Sequence, residues 1–347
     1  MTRTATFIAS TLVVVVATLA TLVMLEYVVR WTIPAFDPSG HVSFVPGTAG
    51  RPALGAPNTV QRQIKNTGDY DVTIRFNKYG FRDDRDLADS TGDDYFAVGD
   101  SLAFGWGVEE PNRVTEQLEK MIKRPVYNIS IPLDIEGAEK LIDYAEALGA
   151  KIGTLIYLFS TEARIRNYDA KPTGGDGAAE GANGAGRRRY FAVKYWLADN
   201  SALYFLFTSF IHRNPTLRNL AVTAGMIQPN LEGFSIREFN PRDIESTANR
   251  LVRFVKRKER RVIVVVLPSR TLWIGPNRDV EDRISRTLIG RLRDMGLEVV
   301  DIRPSFEAGG DPFKHYFKND PHWNAAGHRQ VAIAIARHLG VADAKPQ

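Results

Sequence analysis

The sequence predicts an α/β fold of three α/β/α layers around a mostly parallel sheet, preceded by one N-terminal transmembrane helix. Three observations predict it. Residues 95–98, 154–159 and 262–267 are apolar runs without alternation, which is how strands covered on both faces read. Stretches of helical periodicity lie between these runs, in the strand–helix–strand order that a parallel sheet requires. Residues 7–25 carry no charge. At 1.5 Å per residue, about 20 such residues cross a hydrocarbon core of roughly 30 Å.

Taken in order, that apolar run comes first. A signal-peptide core is shorter, about 7–15 residues, and ends at a small-residue cleavage site. Here the run continues into Glu26, Tyr27, Val28, Val29, Arg30 and Trp31, with aromatic residues suited to a membrane interface. The expectation is an uncleaved anchor over residues 1–33, single-pass in the inner membrane. Arg3 stands on one side and Arg30 on the other, so charge leaves the orientation nearly balanced. The usual outcome for an anchor near the start places the main domain in the periplasm or outside the cell.

Residues 34–66 are rich in Pro, Gly and polar side chains and read as a tether or irregular cap. Residues 72–76 alternate as an edge strand, and Asn77-Lys78-Tyr79-Gly80 is a turn. The strand at 95–98 follows, then a helix at 113–123, a strand at 126–131, a helix at 135–148 and the strand at 154–159. Thr173 to Gly186, a Gly/Ala-rich stretch, buries too little to order itself and reads as a flexible loop ending in Arg187-Arg188-Arg189. The apolar helix at 201–211 is too short to span a bilayer; lid, membrane-surface helix and core helix are all open. A helix at 243–258, the strand at 262–267, a helix at 279–295, a strand at 297–302 and a helix at 325–339 complete the chain.

The composition bounds the function. With 347 residues, 44% apolar and 24% charged, the chain holds a sizeable core. The absence of cysteine excludes disulfides, thiolate metal sites and a cysteine nucleophile. The net charge of +5 peaks at residues 256–261, which reads as the solvated end of a helix, and no nucleic-acid motif accompanies it. The expectation is no nucleic-acid partner. The histidines lack a ligand set, so neither metal nor cofactor is expected.

Chemistry concentrates at two places. Gly99-Asp100-Ser101-Leu102 puts a hydroxyl where the first buried strand ends. Asp320-Pro321-His322-Trp323-Asn324, far downstream, supplies a carboxylate and an imidazole. A serine needs a base to act as a nucleophile, and the base needs a group to orient it. Each motif alone reads as a turn or a helix cap; together they supply a hydrolase's parts in the order Ser, Asp, His. Ser101, Asp134, Thr161 and Ser269 all fall just past strand ends, where parallel sheets bind ligands. Phe104, Trp106, Trp273 and Trp323 are suited to lining a sugar site and equally to core packing.

These blocks resemble those of the SGNH (GDSL) hydrolase superfamily over about residues 70–340, with about 170–260 as an insertion in a domain of residues 34–347. The resemblance implies Ser101 as nucleophile, its amide as one oxyanion donor, His322 as base and Asp320 as the group orienting it. The Trp323-Asn324 ending and the entry Gly80-Phe81-Arg82-Asp83 are similar to those of membrane-anchored, envelope-acting members. Two blocks depart from the pattern. Leu133, ahead of Asp134, stands where the family has a glycine whose amide donates to the oxyanion, and Thr161 stands where it has an asparagine. Leu133, Asp134 and Thr161 are therefore the candidate oxyanion and substrate residues. The implied function is a serine esterase or O-acyltransferase acting on an ester-bearing glycan of the cell envelope or another acylated substrate. The alternative is a catalytically impaired scaffold or binding subunit with envelope protein partners.

Overall fold

The computed structural model describes residues 3–162, 164–170, 192–194, 196–227 and 238–341. The Gly/Ala stretch and Arg187–Arg189 lie outside them. Arg3–Thr32 is one helix, α1. Phe44–Val45 (β1) pairs antiparallel with Leu54–Gly55 (β2), and Val60–Ile64 (β3) with Asp71–Arg75 (β4) makes a second two-stranded sheet. The region expected to be an irregular tether thus has structure of its own, with Leu54 fully buried.

Next come Tyr95–Gly99 (β5), Ser101–Phe104 (α2), Val114–Ile122 (α3), Val126–Asn128 (β6), Ile135–Ala147 (α4) and Thr154–Ser160 (β7). Ala202–Arg213 (α5) and Pro215–Thr223 (α6) follow. Pro241–Lys256 (α7), Arg261–Leu267 (β8), Arg278–Asp294 (α8), Glu298–Asp301 (β9), Arg303–Glu307 (α9) and Ala325–His338 (α10) end the chain. β6 is shorter than the expected 126–131 because the Asn128 side chain accepts from the Ser130 amide and turns the chain.

β5 to β9 form one five-stranded sheet in the order β6-β5-β7-β8-β9, every pair parallel. Alternate side chains of each strand enter different cores. Phe96, Val98, Tyr157, Phe159, Val264 and Val266 pack with residues of α4, α7 and α8. Tyr95, Ala97, Ile156, Leu158, Ile263 and Val265 pack with α3, α9 and α10. Continuous apolar runs are the consequence, since both faces are dry. β6 lies to one side of β5 and β7 to the other, so the strand order reverses at β5. The crevice at its carboxyl end is the position where such sheets bind ligands.

The chain divides into two compact units. One holds residues 1–41, 64–68 and 174–227; the other holds 42–63, 69–173 and 228–347, including the whole sheet. The expected boundaries differ from these. Helix α7, expected within the insertion, packs Ile244, Ala248, Leu251 and Phe254 into the sheet's core. The basic run at its end is neutralised on site: Arg257 and Lys258 pair with Asp143, Lys258 and Arg260 with Glu146, and Arg261 with Glu298.

In the first unit, α1 contains a stretch, Thr6–Thr32, that is long and apolar enough to cross a membrane. Helix α5 packs against α1. It is not a core helix: only Ala202 and Ser209 are buried, whereas Phe207 and Phe210 are exposed.

Candidate active site

The turn that carries Ser101 is built by small residues and a cap. A Cβ on Gly99 would meet the Ala103 side chain and the Leu158 carbonyl at 2.7 Å, so β5 can end this close to β7 only without one. Asp100 then caps α2, accepting from the Leu102 amide at 2.9 Å. Ser101 opens that helix, so its amide is one that no intrahelical carbonyl takes up. Gly105, at φ 86°, ends α2 after a single turn, a left-handed conformation that glycine adopts without strain. The buried Arg82 guanidinium holds this loop, donating to the carbonyls of Phe104, Gly105 and Val108 at 3.2, 2.6 and 2.6 Å. Asp83 beside it accepts from the Asn128 amide at 2.7 Å, and the Asn128 side chain donates to the Ala103 carbonyl. The Gly80-Phe81-Arg82-Asp83 segment is thus the brace of the loop that carries Ser101.

The histidine loop is fixed from two sides. Arg270, just beyond β8, donates to the carbonyls of Phe317 and Asp320 at 3.0 and 3.2 Å. Asn324 caps α10 by accepting from the Gly327 amide, and its own amide donates to the carbonyls of Lys314 and Tyr316. Trp323 is fully buried, and a Cβ on Gly327 would stand 2.3 Å from the His315 carbonyl. The Trp323-Asn324 ending therefore serves packing and capping.

Together these loops bring three side chains into line. His322 Nε2 lies 2.8 Å from Ser101 Oγ, and His322 Nδ1 lies 2.5 Å from Asp320 Oδ1. An ionised carboxylate only accepts, so Nδ1 carries the proton and Nε2 accepts from the Ser101 hydroxyl. Asp320 is 1% exposed, and Oδ1 also accepts from the His322 amide at 3.0 Å. Tyr70 donates to Asp320 Oδ2 at 3.4 Å, and Trp106 Nε1 donates to the Tyr70 oxygen at 2.8 Å. Burial and the Asp320 charge both raise the pKa of Tyr70, which keeps it a donor. The Trp106 ring stacks on His322 with centroids 5.7 Å apart.

A cleft of about 370 Å³ opens on this line, bordered by Asp100, Ser101, Leu102, Asp134, Ser160, Glu162, Arg164, Arg166, Tyr168, Pro321 and His322. Asp134 caps α4 through the Gly137 amide at 3.0 Å and faces Arg166 at 3.4 Å. Burial would raise its pKa, but the Gly137 amide and the cations Arg166 and Arg164 outweigh that and lower it.

Leu133 and Thr161 both donate to backbone carbonyls. The Leu133 amide donates to the Ile131 carbonyl at 2.6 Å. Both the amide and the hydroxyl of Thr161 donate to the Leu267 carbonyl at 3.3 Å. Ser160, at the end of β7, borders the cleft. Its hydroxyl accepts from the Glu162 amide at 3.3 Å, which leaves its proton to donate. Ser269 caps the turn after β8 and does not border the cleft.

Of the aromatic candidates for a sugar site, Phe104 and Trp323 are fully buried, and Trp273 donates to Glu307. Trp106 alone reaches the triad. Among the described residues no group of three or more His, Cys, Asp or Glu side chains is placed to hold a metal ion.

Residues 237–347 match a family model described as the SGNH hydrolase-like domain of the acetyltransferase AlgX. No curated protein matches the sequence. Solved structures similar to this chain include a lipase/acylhydrolase from Enterococcus faecalis, 12% identical, with a TM-score of 0.41, covering 73% of this chain and 100% of its own. A catalytic mutant of the acetylxylan esterase Axe2 from Geobacillus stearothermophilus is 11% identical, with a TM-score of 0.38, covering 73% and 96%. A GDSL-family lipolytic protein from Veillonella parvula is 13% identical, with a TM-score of 0.39, covering 70% and 96%.

Proposed function

We propose that this chain is a serine esterase or O-acyltransferase working through an acyl-enzyme, with Ser101 as nucleophile, His322 as base and Asp320 orienting the base. The observation that carries the reading is the continuous contact from Asp320 Oδ1 through the imidazole to Ser101 Oγ beside an open cleft. It favours a catalyst over a scaffold, because a scaffold has no use for three residues held in this register.

In the reaction, His322 Nε2 takes the Ser101 proton as Oγ bonds to the ester carbonyl carbon. The negative oxygen rests on the Ser101 amide and the Ser160 hydroxyl, donors set in place before charge develops. Collapse breaks the bond to the leaving alcohol, whose oxygen receives the proton from His322. Water or a sugar hydroxyl then gives its proton to His322 as it attacks the acyl carbon, and as the bond to Oγ breaks His322 returns that proton to Ser101. Asp134 and the neighbouring arginines border the substrate.

The substrate we propose is an O-acetyl group on a cell-envelope glycan. The acetyltransferase domain matched by residues 237–347 supports the acyl group, and the N-terminal helix supports the location. Glu26 of α1 accepts from the Ser201 hydroxyl and from the amides of Ala202 and Leu203 at 2.7, 2.8 and 3.0 Å. A helix used this way as a structural partner favours a retained single-pass anchor over a cleaved signal. The catalytic domain would then face the periplasm or cell exterior, which a reporter fused at the C-terminus tests.

The deciding assay is hydrolysis of a small activated acetyl ester by the full chain, beside Ser101→Ala and His322→Ala. Activity lost in both folded variants, with fluorophosphonate labelling of Ser101, supports the enzyme. Equal rates in all three and no labelling would leave the scaffold.

A further inference from the structure

The unit that contains α1 carries a second apolar surface that neither catalysis nor the span absorbs. Phe207 and Phe210, three residues apart on α5, are 58% and 61% exposed, and that spacing puts them on one helical face. Trp196 before the helix and Leu220 after it are equally open. Full burial of one such side chain is worth about 1.5–3 kcal/mol, so this cluster is costly to leave in water.

Its position within the unit says what covers it. The uncharged run of α1 ends at Leu25, and Glu26 follows where hydrocarbon would give way to headgroups. Tyr27 and Trp31, the next aromatic residues, are largely exposed, as interfacial anchors are. Helix α5 starts at this same level. Glu26 accepts from its first amides, Arg30 donates to the Asn200 carbonyl, and the Phe205 ring packs edge-on against Phe36. An apolar helix face thus begins beside the mouth of a membrane span and is fastened to it by side chains. The basic residue closing α5, Arg213, is exposed and suits lipid phosphate.

We propose that α5 is a second membrane contact, an interfacial helix whose Phe207 and Phe210 enter the headgroup/acyl boundary of the bilayer beside α1. The occupant of this surface is phospholipid. The inference rests on the reading of α1 as a retained span. Its consequence is that α1 and α5 together form a two-point foot that fixes this unit against the membrane, where a lone span would leave it free to swivel.

The chain has no cysteine, so single-cysteine variants of the full protein report one position each. Phe207→Cys, Phe210→Cys, Val15→Cys in the span and Asp294→Cys at an exposed position of α8 would each carry an environment-sensitive fluorophore. The proteins would be reconstituted in phosphatidylcholine/phosphatidylglycerol vesicles. Interfacial helices sit about 5–10 Å into the headgroup/acyl boundary. The probes at 207 and 210 are therefore expected to be quenched most by lipids spin-labelled high on the acyl chain, and the Val15 probe most by lipids labelled near its end. The Asp294 probe should answer only to iodide in the water. Probes at 207 and 210 quenched by iodide, or shielded from iodide and lipid alike by a protein contact, would overturn the proposal while Val15 still reports the span. A Val15 probe untouched by lipid would instead remove the span, and the proposal with it.

Discussion

The Tyr70 hydroxyl donates to Asp320 Oδ2 while His322 Nδ1 occupies Asp320 Oδ1, so a buried carboxylate has a partner on each oxygen. The carboxylate plane is thereby fixed, and with it the direction of the imidazole. Trp106 completes the arrangement, donating to Tyr70 and stacking on His322. Gly107 makes room for it: at φ 82°, a Cβ there would meet Tyr70 and Phe317 at 2.7 Å.

Tyr70→Phe removes the donor and keeps the ring. A hydrogen bond to a charged group is worth about 1.5–3 kcal/mol, and at 3.4 Å this one belongs at the weak end. The expected result is kcat lowered roughly tenfold, each tenfold being about 1.4 kcal/mol, with KM unchanged. Steady-state kinetics on an activated acetyl ester measure it. An unchanged kcat would mean that the protein holds Asp320 without Tyr70.

Residues that act through local sequence were legible, and those that act across the sheet were not. Asp100, Asp134 and Asn324 cap helices within three residues of themselves. The apolar runs of β5, β7 and β8 announced a covered sheet because both faces of each strand are dry. Ser101, Asp320 and His322 carried motifs. Tyr70 lies 250 residues from Asp320, in a segment with no pattern linking the two. Ser160 carries no motif, and its place at the cleft follows from where β7 ends in the sheet. The role of α5 stayed open in the sequence because an apolar run reads alike whether its partner is protein or lipid.

Ser160→Ala removes the side-chain donor from the cleft. Loss of one oxyanion donor costs about 10²–10³ in kcat, and that fall is expected with the fold intact. Thr161→Val deletes a hydroxyl whose donation goes to the Leu267 carbonyl. It should cost about 1 kcal/mol of stability, the net worth of such a bond, and leave kcat near the parent value. Kinetics and thermal unfolding of the two variants side by side are the check. The reverse pattern would restore Thr161 as the donor.

Asp320→Asn keeps the shape of the carboxylate and reverses its demand. An amide nitrogen turned toward Nδ1 donates, so the imidazole moves its proton to Nε2 and can no longer accept from Ser101. The corresponding substitution in serine proteases lowers kcat about 10⁴-fold, and a loss of that order is expected. Fluorophosphonate labelling of Ser101 should slow in parallel. Labelling at the parent rate would show that Ser101 is activated without the tautomer Asp320 selects.

His328 supplies a prediction about stability and pH. It lies on the buried face of α10, edge-on to Trp323, and neither ring nitrogen has a protein partner among the described residues. Burial first, then the charges of Arg82 and Arg113, push its pKa down to about 3. Unfolding returns it to an ordinary value near 6.5. Below that pH the unfolded chain takes up a proton that the folded one refuses. Stability therefore falls as pH drops from about 6.5 toward 3, by about 1.4 kcal/mol per unit from this group. Thermal unfolding followed by tryptophan fluorescence at pH 7 and pH 5 should show a drop in midpoint for the parent chain. His328→Leu should lessen that drop, whatever it does to stability at pH 7. An equal drop in the variant would mean that the ring takes up a proton in the folded chain as readily as in the unfolded one.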